Sequence, residues 1–284
     1  MKVVKQVEQQ AAPAPEAAKK SNKKFNAILI SIIAVLAVAF LFCGYKVVSI
    51  LSEYKEAEKM YQGLSDKYAS APAVTPSPKP VEGGQEAEDD GLDPEVSPIE
   101  IDFDTLLADC EDIVGWLYSP DTVINYPVAQ AEDNDKYLYN FIDGRYNGSG
   151  TLFFDYLCEP DLTSTNTVMY GHHMNDGSML ASLCNYDRQD YYEAHPVLYF
   201  NSPEQNYRVE VFSAYITDPG AVSYIIEFSE DYTFQNFLDE VRGLSEIQSP
   251  VEVTTEDRII TFSTCTYEYD NARFVVHGKL VPIH

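Results

Sequence analysis

The sequence predicts a mainly β domain with some α structure, a closed sheet carrying a few helices, preceded by a transmembrane helix. Three observations predict it. Residues 25–45 form an uncharged apolar run, residues 71–98 are rich in proline and acid, and residues 99–284 hold six strand-like runs with one helical segment between them.

The apolar run, rich in Ile, Leu, Val, Ala and Phe, comes first. At about 1.5 Å rise per residue its length crosses a hydrocarbon core of roughly 30 Å. Lys2, Lys5, Lys19, Lys20, Lys23 and Lys24 precede it and no small-residue cleavage site follows. Retention as a signal anchor is therefore expected, with residues 1–24 cytoplasmic and the rest extracellular. In residues 46–70, Val47, Ile50, Leu51, Tyr54, Ala57, Met60, Tyr61 and Leu64 recur at three and four, the period of a helical stalk. Residues 71–98, with Pro72, Pro76, Pro78, Pro80, Pro94, Pro98 and an acidic run from Glu86 to Asp90, have the composition of a linker that buries no core.

Charge separates the ends of the chain. Six lysines against Glu8 and Glu16 leave the first 45 residues at +4, while the other 13 basic and 43 acidic residues leave the remainder at −30, within a total of −26. Such an exterior repels a phosphate backbone, so nucleic acid is excluded as a partner. No segment has the oxygen-ligand spacing of a calcium loop. Cys43 lies in the apolar run, and Cys110, Cys158, Cys184 and Cys265 follow it without metal-knuckle or C-x-x-C spacing. At least one free thiol is expected in a compartment that permits disulfides.

Residues 99–284 carry the only tryptophan, Trp116, and most of the tyrosine and phenylalanine, enough chain for one core. A short helix is expected at 104–113, capped by Asp102 or Asp104. Strands are expected at 151–154, 167–170, 197–200, 207–214, 258–264 and 273–281. Phe234, Phe237, Leu238 and Val241 are spaced as a helix over 233–241.

Two segments carry chemistry. Ile259, Ile260, Thr261, Phe262, Ser263, Thr264 and Cys265 form a β-branched run that ends in cysteine. A thiol at a strand end is partly exposed and held rigidly, as a nucleophile requires, although free cysteine is more commonly a buried small hydrophobe. Arg273 opens the next strand, so two strands joined by a short loop bring guanidinium and thiol to neighbouring ends; a guanidinium fork suits a developing oxyanion. The second segment runs from Val168 through Tyr170, Gly171, His172, His173, Met174, Asn175, Asp176, Gly177 and Ser178 to Leu180, where a strand ends in a Gly-His turn and a Ser-led helix is expected. One imidazole there suits general acid and base work. A metal site from both histidines and a carboxylate is the rival, but neighbours on a strand point to opposite faces.

Thr261-Phe262-Ser263-Thr264-Cys265 followed by Arg273 resembles the sortase signature T-L-x-T-C with its downstream arginine, and residues 170–179 resemble the class B sortase histidine motif. Gly115-Trp116, Tyr126-Pro127-Val128 and the run from Asp133 to Leu138 also resemble class B segments, in the same order along the chain. Phe262 replaces the usual leucine, an apolar exchange beside an unchanged nucleophile.

The resemblance implies a sortase-type closed β-barrel with amino-terminal helices and a helix in the long connection before the cysteine strand, residues 99–284 being the catalytic domain. It implies a transpeptidase in which Cys265 attacks the threonine carbonyl of a carboxyl-terminal sorting motif, His172 protonates the departing amine, and Arg273 steadies the oxyanion. An amine of a peptidoglycan precursor or a pilin then resolves the thioester. Asn134, Leu138 and Ser263 match substrate-contact positions, and residues 218–231 are expected to complete the groove. His173 matches a variable turn position. No cofactor and no metal is implied. The other two functions consistent with the residues are a thiol peptidase releasing product to water and a non-catalytic surface-binding ectodomain. His195 and His277 are expected to be structural or surface groups, and Cys110, Cys158 and Cys184 packing groups.

Overall fold

Strand runs with alternating apolar residues must bury one face, and here they do so by closing a ring. In the computed structural model, which describes residues 16–71 and 95–284 with side chains from Phe25 onward, the chain divides into two compact units after Ser52. Most of the expected linker and the first fifteen residues lie outside the described residues.

In the first unit, helix α1 (Glu16–Tyr68) begins and carries an exposed apolar stretch of mean hydropathy 2.9, long and apolar enough to cross a membrane. In the second unit, the end of α1 joins the folded domain. Ala57, Tyr61 and Tyr68 are buried, and the Tyr61 ring meets Tyr126 and Phe141 edge-on at 5.0 and 5.6 Å. Strand β1 (Ala69–Ser70) pairs with β2 (Glu100–Ile101), and α2 (Phe103–Asp109) is capped by Asp102, which accepts from the Thr105 amide. The helix expected over 104–113 thus ends early. Cys110 is already extended, and Ile113 opens β3 (Ile113–Tyr118), its side chain claimed by the core around Trp116.

The barrel is completed by β4 (Asn125–Ala129), β5 (Leu152–Phe154), β6 (Asn166–Tyr170), β7 (Val197–Asn201), β8 (Asn206–Thr217), β9 (Ile259–Cys265) and β10 (Arg273–Ile283), closed in the order β10-β8-β7-β3-β4-β5-β6-β9, with the short helix α3 (Gln189–Ala194) between β6 and β7. Strands β3 and β4 were not expected. Gly115 interrupts the apolar pattern of the first and Pro127 that of the second. A Cβ at Gly115 would strike the Phe200 ring, so glycine marks a close approach between strands.

Alternation sorts the side chains of β9 and β10. Ile260, Phe262, Phe274 and Val276 fill the interior cluster, while Ile259 and Val275 belong to an outer cluster under α4 (Phe234–Leu244). Thr233 and Asn236 form a reciprocal capping box at the start of α4, and Phe237, Leu238 and Val241 bury its apolar stripe against Phe212 and Tyr215. Two-sided burial of β9 leaves its carboxyl end as the place where its side chains first reach solvent.

Candidate active site

Cys265 is the last residue of β9 and Arg273 the first of β10, and the two are direct partners in the antiparallel register. Directly paired residues share a face, so thiol and guanidinium project from the same outer side. Ser263 pairs with Val275 on that side and, through the parallel β6–β9 ladder, with Tyr170. The Gly171 amide extends this ladder by donating to the Ser263 carbonyl at 3.2 Å, which delivers His172 to the same end of the sheet. At Gly171 a Cβ would collide with the Leu152 and Leu180 side chains.

A cleft of ≈ 270 Å³ opens here. Cys265, His172, Arg273, Asn134, Leu138 and Ser263 all line it, together with Phe153, Tyr170, Gly171, Pro219, Tyr224 and Thr264. The six residues singled out from sequence therefore meet in one place, and Pro219 and Tyr224 come from the connection expected to complete the groove.

The His172 ring is held by hydrogen bonding to the opposite wall. Its Nε2 lies 2.7 Å from the Leu138 carbonyl, which can only accept, so Nε2 carries the proton and Nδ1 is the nitrogen left for exchange. The Tyr139 ring leans over the imidazole at 5.4 Å. Asn134 uses its amide within the fold: Nδ2 donates to Asp155 at 3.0 Å and Oδ1 accepts from the Tyr156 amide at 3.1 Å. Tyr170 also donates to Asp155, at 2.9 Å, and burial followed by that carboxylate holds its phenol well above the ordinary range. Ser263 is buried and exchanges a hydrogen bond with the Tyr224 hydroxyl at 2.9 Å.

Arg273 donates from one terminal nitrogen to the Asn271 and Ala272 carbonyls of its own loop. Among the described residues no carboxylate lies within ion-pair distance of it. A guanidinium left unpaired in so acidic a protein keeps N–H groups and charge for a ligand.

Sequence reasoning missed two contributors. His173 Nδ1 donates to the Cys265 carbonyl at 2.9 Å and so pins the nucleophile's own backbone, although it had been assigned only a turn. Cys184 lies 3.3 Å from the same nitrogen, and burial pushes its thiol up to about 12, which leaves it protonated beside Cys265. No local signal announces either contact, because both partners are remote in sequence. Tyr224 and Phe153 were likewise invisible as lining residues.

The arrangement offers a strand-held thiol, an oriented imidazole and an unpaired guanidinium around one cleft, the set needed for acyl transfer through a covalent thioester. A model of the sortase domain matches residues 117–281. The chain is 31% identical over 263 residues to sortase B of Staphylococcus aureus, covering 92% of this chain and 98% of that one. It is 41% identical over 173 residues to sortase B of Listeria monocytogenes, covering 60% and 70%. Among solved structures, a Staphylococcus aureus sortase B–substrate complex superposes with TM-score 0.61 at 36% identity over 64% of this chain and 85% of that chain. The Bacillus anthracis sortase B does so with TM-score 0.65 at 33% identity over 82% and 100%. Barrel, cleft chemistry and relatives agree: the chain belongs to the sortase family and is a class B cysteine transpeptidase.

Proposed function

We propose that this cleft cleaves a carboxyl-terminal sorting motif after threonine and joins the new carboxyl group to an amine of a peptidoglycan precursor or a pilin. Cys265 Sγ gives its proton to His172 and attacks the threonine carbonyl, and Arg273 donates to the tetrahedral oxyanion. The C–N bond breaks as His172 gives a proton to the departing amine, leaving a thioester. The acceptor amine then attacks that thioester and loses its proton to His172, which returns it to the departing sulfur as the thiol is released. Leu138 and Ser263 contact the motif, and Asn134 supports the groove through the Asp155 loop.

The observation that carries this reading is the register pairing of Cys265 with Arg273 on one face of the β9–β10 hairpin, with His172 at the neighbouring strand exit. The apolar run is the anchor, oriented with residues 1–24 in the cytoplasm and 99–284 outside, with 71–98 as a linker; the end of the expected stalk, from Glu53 on, belongs to the folded domain and is no spacer. Tethering to the membrane raises the effective concentration of donor and lipid-linked acceptor.

The test is mass spectrometry of the full chain in detergent, incubated with peptides bearing one fixed threonine and randomised flanks, with and without an added amine. The expected result is cleavage after threonine and an amine-dependent ligated product, both lost in Cys265→Ala. The same hydrolysed product with or without amine would instead make it a peptidase. A folded protein that no peptide acylates overturns the proposal.

A further inference from the structure

Behind the groove wall lies a set of buried polar groups that the chemistry above does not use. His277 is fully buried on the outer face of β10, opposite Thr261 of β9 and under α4. Its ring stacks on Tyr215 at 5.5 Å and meets Phe237 edge-on at 5.8 Å. An imidazole here is costly to bury unless both nitrogens find partners, and both do.

The partners form a closed ring whose direction follows from one fixed donor. Thr261 Oγ1 donates to Asn166 Oδ1 at 2.7 Å, so toward His277 it can only accept, and His277 Nδ1 at 2.9 Å must carry the proton. His277 Nε2 is then an acceptor and takes the Tyr215 hydroxyl at 3.2 Å. Tyr215, its proton committed, accepts from Ser223 Oγ at 2.7 Å. Asn166 Nδ2 closes the circuit by donating to the Ser223 and Ile225 carbonyls at 3.3 and 2.9 Å. Asn166, Thr261, His277, Ser223 and Tyr215 are at most 2% exposed. Burial lowers the His277 pKa to about 3 and raises that of Tyr215 to about 12, which keeps both neutral with their protons in place. A fully satisfied buried circuit of this kind admits one geometry and resists any other.

Both ends of the circuit land on the 3-10 turn Val222–Tyr224. That turn carries Tyr224, which lines the cleft, stacks on Tyr170 at 6.2 Å and hydrogen-bonds Ser263, two residues before Cys265.

We propose that His277, as the neutral Nδ1–H tautomer, is a positioning residue that locks the turn Val222–Tyr224 against the barrel and so holds Tyr224 in the wall of the peptide groove. This rests on the reading of the cleft as the peptide site. The turn sits in a long connection between β8 and α4; Ile225 and Phe228 pack that connection against the cluster under α4, while the circuit and the Tyr224–Ser263 bond supply its directional ties to the strands of the barrel. His277 and Tyr215 touch neither thiol nor peptide; they act through Ser223, Asn166 and Tyr224.

The test compares His277→Phe, which keeps an aromatic ring and removes both hydrogen bonds, with His277→Gln, whose amide offers one donor and one acceptor. Tyr215→Phe deletes a single oxygen and decides the matter if His277→Phe does not fold. Leu238→Ala serves as a control that weakens the same cluster and leaves the rings and hydrogen bonds of the circuit in place. Full-length enzyme in detergent is assayed with the threonine-fixed peptides and an amine. We expect His277→Phe and Tyr215→Phe to raise the peptide KM about tenfold with kcat within about twofold, and His277→Gln to recover most of the loss. Leu238→Ala should lower the melting temperature and leave KM unchanged. Hydrogen exchange of the peptide bonds at 222–225 should quicken at least about tenfold in both phenylalanine variants. Wild-type exchange there in either folded variant overturns the proposal, as does an unchanged KM. If the wild-type enzyme turns over no peptide, it is the groove reading that has failed, and exchange at 222–225 alone still decides whether the circuit holds the turn.

Discussion

The two walls of the cleft are built by different means. One wall, Ser263, Cys265 and Arg273, is a hairpin in which each residue's position follows from ladder register. The other, Asn134, Leu138 and the ring of His172, is loop and strand exit, fixed by single hydrogen bonds to backbone carbonyls and amides. The strand wall is buried on both faces and stiff. The loop wall borrows its rigidity from the end of helix α1, where Tyr61 donates to the Gly150 carbonyl and Glu56 pairs with Arg145 at 2.8 Å. Gly150 adopts φ +56, and a Cβ there would strike the carbonyls of Tyr137 and Leu138. Cys265 and Arg273 are thus set by the barrel, while the Leu138 carbonyl that holds the His172 ring lies in a loop braced by the end of α1.

That contrast can be broken from the strand side first. Cys265→Ala should remove the thioacyl-enzyme and all turnover while the melting temperature stays within a few degrees, read by intact-protein mass spectrometry and calorimetry. Arg273→Lys keeps the charge and loses the fork, so kcat/KM should fall about a hundredfold with stability unchanged. Equal activity in the lysine variant would mean that charge alone suffices and that the paired register is incidental.

The loop side should respond differently, losing stability and activity together. Gly150→Ala forces a strained left-handed alanine against two carbonyls, and about 1–3 kcal/mol of unfolding free energy should go with it. Displacement of the Leu138 carbonyl should also lower kcat about tenfold, because the His172 ring loses its fixed orientation. A destabilised variant with the wild-type kcat would show that the loop does not orient the histidine.

Acid sharpens the comparison on the strand side. His277 has a folded pKa near 3 against an unfolded value near 6.5, so the unfolded chain takes up the extra proton. The stability this neutral group supplies is complete above pH 6.5 and is lost as pH falls toward 3, at about 1.4 kcal/mol per unit. Between pH 7 and pH 5 the wild type should lose about 2 kcal/mol more than His277→Gln in urea unfolding. Equal slopes for the two proteins would mean that His277 titrates normally. The smallest expected effect is Tyr61→Phe, which orphans the Gly150 carbonyl for about 1–2 kcal/mol and a few-fold loss in kcat/KM.

The strand wall was legible in the sequence for a physical reason. A β-branched run that stops at a cysteine, and an arginine that opens the next apolar run, define a hairpin by period and loop length alone. The α4 stripe was legible in the same way from its spacing. The loop wall carries no period. That Leu138 and Asn134 border the cleft came from motif likeness rather than from any pattern in the residues. Strands β3 and β4 escaped because a glycine and a proline interrupt their patterns, the glycine where Phe200 of β7 approaches closely. Ile113, expected to end a helix, instead begins β3, since the core around Trp116 outweighs the weak local preference for continuing the helix.

By itself the sequence determined the apolar run, the strand and helix periods, and the cysteine and arginine at adjoining strand ends, because each depends on neighbours within a few residues. The tertiary structure decided which nitrogen of His172 is free, that His173 pins the Cys265 carbonyl, that α1 ends inside the domain, and that a buried histidine circuit meets the groove wall. Each of these is a hydrogen bond or packing contact between segments tens of residues apart, such as His172 with Leu138 or Tyr61 with Gly150. Such partners are chosen only when the barrel closes and the cost of leaving a buried polar group unpaired selects one geometry.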